Sequence, residues 1–436
     1  MRGLLAPLAL VWGLGLVLNL SSAPQVRAVR PLVHTTLAPS PPPTAILPSF
    51  NPTSIPQATR VLYKVRPSEG MVAVASTATA VEYAVAAAGP GESLKALAQN
   101  LSALASTEWV ALDEVLHVHA LRVDSVTPDD PDFPEQWGLE AVHAPEAWAT
   151  ATGAPTRAAA VTVCIVDSGI DYDHEDLAAN MAAAVGVSML PGSPGPMDEL
   201  GHGSHVAGIV GAAGSNALLV SGVVWGNVDL LACRFIDGDG LGRTSAAVDC
   251  VNYCLAQGAR VIQASWGGAA APNAAMQAAM EAAEAADALV VVSAGNDDRD
   301  LDAEPQYPAS YAADRANVLA VAAVGRAGAL SSFSNRGAGT VALAAPGEAI
   351  LSTLPGNATG VFSGTSMAAP FVSGAAALAL SVAGPGALPA PALKRLLLES
   401  AEPTAQLRGK VGAGLLRLDR VVAAAAALAA APTTAP

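Results

Sequence analysis

Aromatic side chains are scarce in this chain of 436 residues, with six each of Trp, Tyr and Phe, while alanine is abundant. That bias thins what hydrophobic periodicity can say, so local motifs must carry more of the reading. Basic residues are also short, 22 Lys and Arg against 37 Asp and Glu, for a formal charge of -15. The balance argues against a polyanion-binding surface and for a soluble, self-repelling globule, so nucleic acid is not an expected partner. Cysteine is sparse. Cys164, Cys233, Cys250 and Cys254 are too few for a disulfide scaffold and lack the paired spacing of a zinc ribbon. Bridges are compatible with that count without being required by it, and packed small hydrophobes are the preferred reading.

Only one long apolar run invites a membrane reading. Arg2 precedes an apolar stretch from Leu4 to Leu20, and small residues follow as far as Ala28. This is the pattern of a secretory signal, residues 1–28, cleaved after Ala28, with an uncleaved anchor as the lesser alternative. No later stretch of comparable length is free of charge and turn residues, so the mature chain is expected to be secreted, off the membrane and monomeric.

At this length the chain exceeds one typical domain. Residues 29–57, with Pro41, Pro42 and Pro43 in a row, read as an extended spacer. Residues 58–126 read as a compact α+β module. It has strands at Val61–Val65, Trp109–Leu112 and Val115–Val123, and a helix presenting Leu94, Leu97, Leu101 and Leu104 on one face. The charged, proline-broken segment from Asp129 to Pro134 marks a boundary. Beyond it, apolar runs at Ala158–Val166, Val228–Ile236, Ala259–Ala264, Ala288–Ala294 and Val318–Val324 alternate with helix-like segments. This predicts an α/β domain, residues 127–424, whose mostly parallel sheet is sandwiched by helices. Residues 425–436 read as an alanine-rich helix end fraying into a tail. In such sheets ligands bind beyond the carboxyl ends of the strands, where chemistry is to be sought.

Asp167 ends the run Val161–Val166 and opens Asp-Ser-Gly-Ile-Asp. His202 stands in Gly-His-Gly-Ser-His-Val-Ala-Gly, and Ser366 in Phe-Ser-Gly-Thr-Ser-Met-Ala-Ala-Pro. Singly, these residues would be read as a turn acid, a structural histidine and a helix N-cap. Together, at strand-end and helix-start positions of one sheet, they are the parts of an activated nucleophile: a serine, the base it needs, and an acid to orient that base. The chain order Asp, His, Ser differs from that of chymotrypsin and the α/β-hydrolases. Ala368 also stands where a nucleophile elbow needs its second glycine, which disfavours a lipase or esterase.

With these motifs, and with Glu135-Gln-Trp-Gly-Leu, Ser265-Trp-Gly-Gly, Ser293-Ala-Gly-Asn and Tyr307-Pro-Ala in order, the chain resembles the subtilase family, in its secreted subtilisin and thermitase branch, from about Thr127 to Ala424. The resemblance implies a serine endopeptidase acting on polypeptides and made as a zymogen. Residues 58–126 would then be a propeptide that serves as intramolecular chaperone and inhibitor. It implies Asn296 as the oxyanion-hole donor. It implies a peptide-binding wall of Ser265, Trp266, Gly267, Gly268, Ser293, Ala294 and Gly295, with Gln306 and Asp297 near the base and rim of the pocket. It also implies a structural calcium ion on Asp130, Asp176, Asn216 and the carbonyls of Leu218 and Val220, although Leu219 replaces the usual glycine. The rival readings are acyl transfer to an amine, a binding protein that has lost catalysis, and a processing protease for paired basic sites.

Overall fold

The computed structural model describes residues 125–153, 160–384 and 386–430, together with three strands and residues 99, 100, 102 and 103 nearer the N-terminus. Two compact units result, Met1–Leu121 and Arg122–Pro436. In the first, β1 (Arg60–Val65) pairs antiparallel with β2 (Ala84–Ala87) and with β3 (Thr107–Leu112). Two of the expected strands are thus present. The leucines of the expected helix, the strand Val115–Val123, the signal and the spacer lie outside the described residues.

The second unit is built on an eight-stranded sheet. Its strands along the chain are β4 (Val161–Asp167), β5 (Met181–Ser188), β6 (Val228–Arg234), β7 (Val261–Ala264), β8 (Leu289–Ser293), β9 (Val318–Val324) and β10 (Val341–Pro346). A separate antiparallel hairpin follows, β11 (Ile350–Leu354) and β12 (Ala358–Phe362), before the short last strand β13 (Gly414–Leu415). Spatially the order is β13-β10-β9-β8-β7-β4-β6-β5, and every neighbouring pair is parallel. The five strands expected from apolar runs are the centre of this sheet. β5, β10 and β13 complete its flanks.

Parallel sheets survive in water only when both faces are covered, so their strands are apolar throughout rather than alternating. β4 illustrates the rule: Val163 and Ile165 enter one core, Cys164 and Val166 the other, and all four are fully buried. The first face is covered by α1 (His202–Gly211), and the opposite face by α2 (Thr244–Ala256) and α3 (Ala274–Ala285). Helix α4 (Thr365–Ala383), with α5 (Ala390–Ser400) and α6 (Leu418–Ala430), lies on the same side as α1. By length and composition α4 could cross a membrane, but it is a core helix, with its residues from Met367 to Leu380 buried.

Two expectations need correction. The four cysteines are buried, as small hydrophobes would be, yet they are paired as Cys164–Cys254 and Cys233–Cys250. The reason is geometric. Cys250 and Cys254 share the inner face of α2, and Cys164 and Cys233 point toward that helix from the adjacent strands β4 and β6. The second concerns the alanine-rich end from residue 425, which continues as helix α6 to Ala430 with Val422 and Ala425 fully buried, while residues 431–436 lie outside the described residues.

Candidate active site

The carboxyl ends of β4 and β8 and the first turns of α1 and α4 converge on one side of the sheet. Asp167, the last residue of β4, is fully buried. Its Oδ1 accepts from the Ser168 backbone N–H at 2.8 Å and lies 2.7 Å from His202 Nδ1. His202, the first residue of α1, keeps part of its ring exposed. Burial presses its pKa down, while the charge and hydrogen bond of Asp167 and the charge of Asp198 raise it, for a net rise above 6.5. His205, one turn along, is different. Burial lowers its pKa to about 4, and its Nε2 faces the Ile350 and Gly360 carbonyls at 3.0 and 3.1 Å, a structural role.

Ser366 occupies the first turn of α4, where Pro370 shapes its surroundings. Pro370 has no N–H to give to the carbonyl one helical turn back, which is that of Ser366. The Ser265 hydroxyl supplies the missing donor at 2.7 Å, and the Ser366 hydroxyl donates in return to the Ser265 carbonyl at 3.1 Å. This reciprocal pair ties the first turn of α4 to the segment Ser265–Gly268.

Asn296 follows β8 through Gly295, whose φ of +102° and close packing exclude a side chain: an added Cβ would lie 2.4 Å from both Asn335 and Gln306. The Asn296 Oδ1 accepts from both the backbone N–H and the hydroxyl of Thr365, each at 2.9 Å. Its carbonyl end is therefore spent, and the Nδ2 donors are left on the exposed side beside Ser366. These residues open on a cleft of about 520 Å³. Its lining brings together Ser265, Trp266, Gly267, Gly268, Ser293, Ala294, Gly295, Asn296 and Ser366, with Asp297 and Gln306 as expected. Gln306 donates to Asp297 at 2.9 Å and accepts from Asn335 at 2.8 Å.

Three residues of this site are absent from the motif-based reading. Thr365 orients Asn296, and it stands beside Ser366 in Gly-Thr-Ser, where adjacency could have flagged it. Asn335 accepts from the N–H groups of Asp297 and Arg299 and donates to the Ala294 carbonyl. No local signal marks it. Asp198 precedes Gly201-His202, an acid just upstream of a helix start, which is a weak capping signal.

The expected calcium ligands lie together in one hydrogen-bonded cluster. Asp130 Oδ1 accepts from Asn216 N at 3.0 Å, while its Oδ2 accepts from Ser215 N at 2.9 Å and from the Ser221 hydroxyl. Asp176 accepts from Asn216 Nδ2 at 3.0 Å and Val220 N at 2.9 Å, and Asn216 Oδ1 accepts from Leu218 N at 2.9 Å. Each of these oxygens accepts from protein, and a carboxylate oxygen that accepts one hydrogen bond keeps a further lone pair for a hard cation. Two carboxylates, one amide oxygen and the Leu218 and Val220 carbonyls are the oxygen type that Ca²⁺ takes. Among the described residues, no group of three or more His, Cys, Asp or Glu gathers as a metal site.

Comparison with known proteins agrees with this arrangement. The family model described as "Subtilase family" matches residues 158–414. Thermitase of Thermoactinomyces vulgaris is 37% identical over 58% of this chain and 86% of its own length. The extracellular protease of Xanthomonas campestris is 33% identical over 76% of this chain and 61% of its own length. Subtilisin-like protease 2 of Plasmodium falciparum, at 35% identity, is matched over only 19% of its length. A protease structure from Pseudoalteromonas arctica superposes with a TM-score of 0.59 at 29% identity, covering 69% of this chain and 100% of that one. The fold and site define a serine endopeptidase of the subtilisin type. The chain belongs to the subtilase family.

Proposed function

We propose that this chain is a secreted endopeptidase that hydrolyses polypeptides through Asp167, His202 and Ser366, and that it is made as a zymogen which cuts itself. The reading rests on the 2.7 Å contact between a buried Asp167 and a partly exposed His202, together with a cleft lined by Ser366 and Asn296.

In this reading the Ser366 hydroxyl leaves the Ser265 carbonyl and attacks the scissile carbonyl while His202 takes its proton. Asp167 fixes the imidazole tautomer and stabilises the imidazolium. Asn296 Nδ2 and the Ser366 backbone N–H hold the oxyanion. His202 then protonates the leaving amine, and water repeats the sequence to release the acyl group. Substrate is held as an added strand between Leu241–Arg243, which is exposed, and Ser265–Gly268. Residues 58–126 act as inhibitor until the segment after them is cut. Extracellular location is supported by the signal-like N-terminus and by a relative named as an extracellular protease. No step of this cycle is routed through calcium, which Asp130, Asp176, Asn216 and the carbonyls of Leu218 and Val220 would hold as a structural ion.

The test is to express the chain beside its Ser366→Ala form, following size on a gel and hydrolysis of an unstructured protein. A wild type that shortens and digests, beside an inert full-length variant, supports both claims. Shortening of both forms removes self-processing alone. Absence of hydrolysis by the processed wild type removes the endopeptidase.

A further inference from the structure

Asp198 belongs to no motif used above, is 4% exposed, and accepts five hydrogen bonds. Its Oδ1 takes the Ser168 hydroxyl at 2.9 Å, Leu200 N at 3.0 Å and Gly201 N at 2.9 Å. Its Oδ2 takes Ser204 N at 2.8 Å and the Ser204 hydroxyl at 2.7 Å. These donors come from two places that must stay in register. Ser168 is the residue after Asp167, and Leu200, Gly201 and Ser204 bracket His202.

The local chemistry explains why such a residue is needed. Helix α1 begins after Gly201, which has no side chain to cap it, so the orphan N–H groups of its first turn need outside partners. Asp198 caps Ser204 N, and Ser168 Oγ caps Gly203 N at 2.9 Å. The two caps are bonded to each other. The approach is close as well: a Cβ on Gly203 would lie 2.0 Å from the Gly169 carbonyl oxygen. The first turn of the histidine helix therefore rests directly on the turn that carries Asp167.

Resting on the proposed triad, we infer that Asp198 is a positioning residue for the reaction, clamping the Asp167 turn to the first turn of the His202 helix and holding a second buried negative charge near the imidazole. Asp167 alone orients one ring nitrogen; Asp198 orients the backbone from which that ring is hung. The charged groups that act on His202 are Asp167 on β4 and Asp198 in the loop before α1, and His202 in turn acts on His205 of its own helix. His205 stays neutral above its pKa of about 4 and contributes no charge in the working range.

The two parts of the role separate by mutation. D198N removes the charge and weakens the clamp. It should lower kcat by about 10- to 100-fold, the scale of a small misplacement of reacting groups, with KM little changed. The acid limb of the kcat/KM profile should also move to lower pH, since loss of a negative neighbour makes the imidazolium easier to deprotonate. D198E keeps the charge and spoils the reach, so kcat should fall while the limb stays where it is. S168A removes one arm and leaves the charge, giving a smaller loss of kcat and an unmoved limb.

A D198N enzyme that keeps its kcat, or that loses kcat without moving the limb, overturns the corresponding half of the role. If D198N does not fold, S168A and D198E decide: wild-type kcat in both overturns the clamp, and an acid limb displaced in D198E overturns the charge. S366A, run in parallel, keeps the outcomes distinct. Digestion by S366A would sink the triad itself, whereas an inert S366A beside a fully active D198N sinks only the inference about Asp198.

Discussion

Asn296 could present either end of its amide to the cleft, and Thr365 removes the choice by giving both of its donors to Oδ1. In the proposed mechanism the donors that remain take the oxyanion, and one hydrogen bond counts for much in a preorganised site. Asn296→Ala is expected to reduce kcat by about 10²- to 10³-fold, the loss typical of one oxyanion donor in subtilisins, with KM little affected in a steady-state assay. His202 supplies a second expectation at this scale. A pKa raised above 6.5 means the imidazolium persists to higher pH, so the base becomes free only above that point. Activity is therefore present above the folded pKa and lost below it, and the kcat/KM profile should show an acid limb with its midpoint above 6.5. A midpoint well below 6.5 would show that burial outweighs the two carboxylates.

At the scale of elements, the first turn of α4 and the loop after α1 each replace an ordinary partner with an unusual one. Pro370 frees the Ser366 carbonyl, and Ser265 fills it. Ser265→Ala should destabilise the fold by about 1–3 kcal/mol, the penalty for a buried acceptor left without its donor, and should lower kcat by loosening the turn. Adding Pro370→Ala restores an N–H within the helix, so the double variant should recover part of that stability in urea unfolding. Full additivity of the two changes would show that they do not share this carbonyl. In the other loop, residues 215–221 turn backbone amides and the Ser221 hydroxyl toward Asp130 and Asp176. Calcium bound there would add to that protein network, so a chelator should lower the midpoint of thermal unfolding, while an unmoved midpoint would mean that the amides and the hydroxyl alone hold the loop.

For the whole second unit, the disulfides join α2 to the adjacent strands β4, which ends in Asp167, and β6. Cys164–Cys254 spans 90 residues and Cys233–Cys250 spans 17. On a chain-entropy footing the longer loop restrains the unfolded chain more, by about 1.5 kcal/mol. Removing Cys164 and Cys254 together should therefore lower stability further than removing Cys233 and Cys250, as read from paired denaturation curves. Equal losses would place the stabilisation in the native packing instead.

The legible parts of this protein were those whose physics is local. A strand buried on both faces must be a short apolar run, so β4, β6, β7, β8 and β9 could be read directly. β5, partly exposed along its length, carries no such signature, whereas β10 is a short buried apolar run that the sequence reading passed over. Asp167, His202 and Ser366 could be singled out as candidates because each sits in a motif set by the tight turn or small-residue helix that holds it. Asn335, the contact of Thr365 with Asn296 and the cysteine pairing were not, since their partners stand far away in the chain, and Asp198 showed only a weak capping signal because its link to Ser168 spans 30 residues. By itself the chain determined which residues could do chemistry and on what kind of sheet. Only the tertiary structure decided how those residues are held and which distant amides each carboxylate meets, because hydrogen bonds act over about 3 Å in space and have no fixed length along the chain.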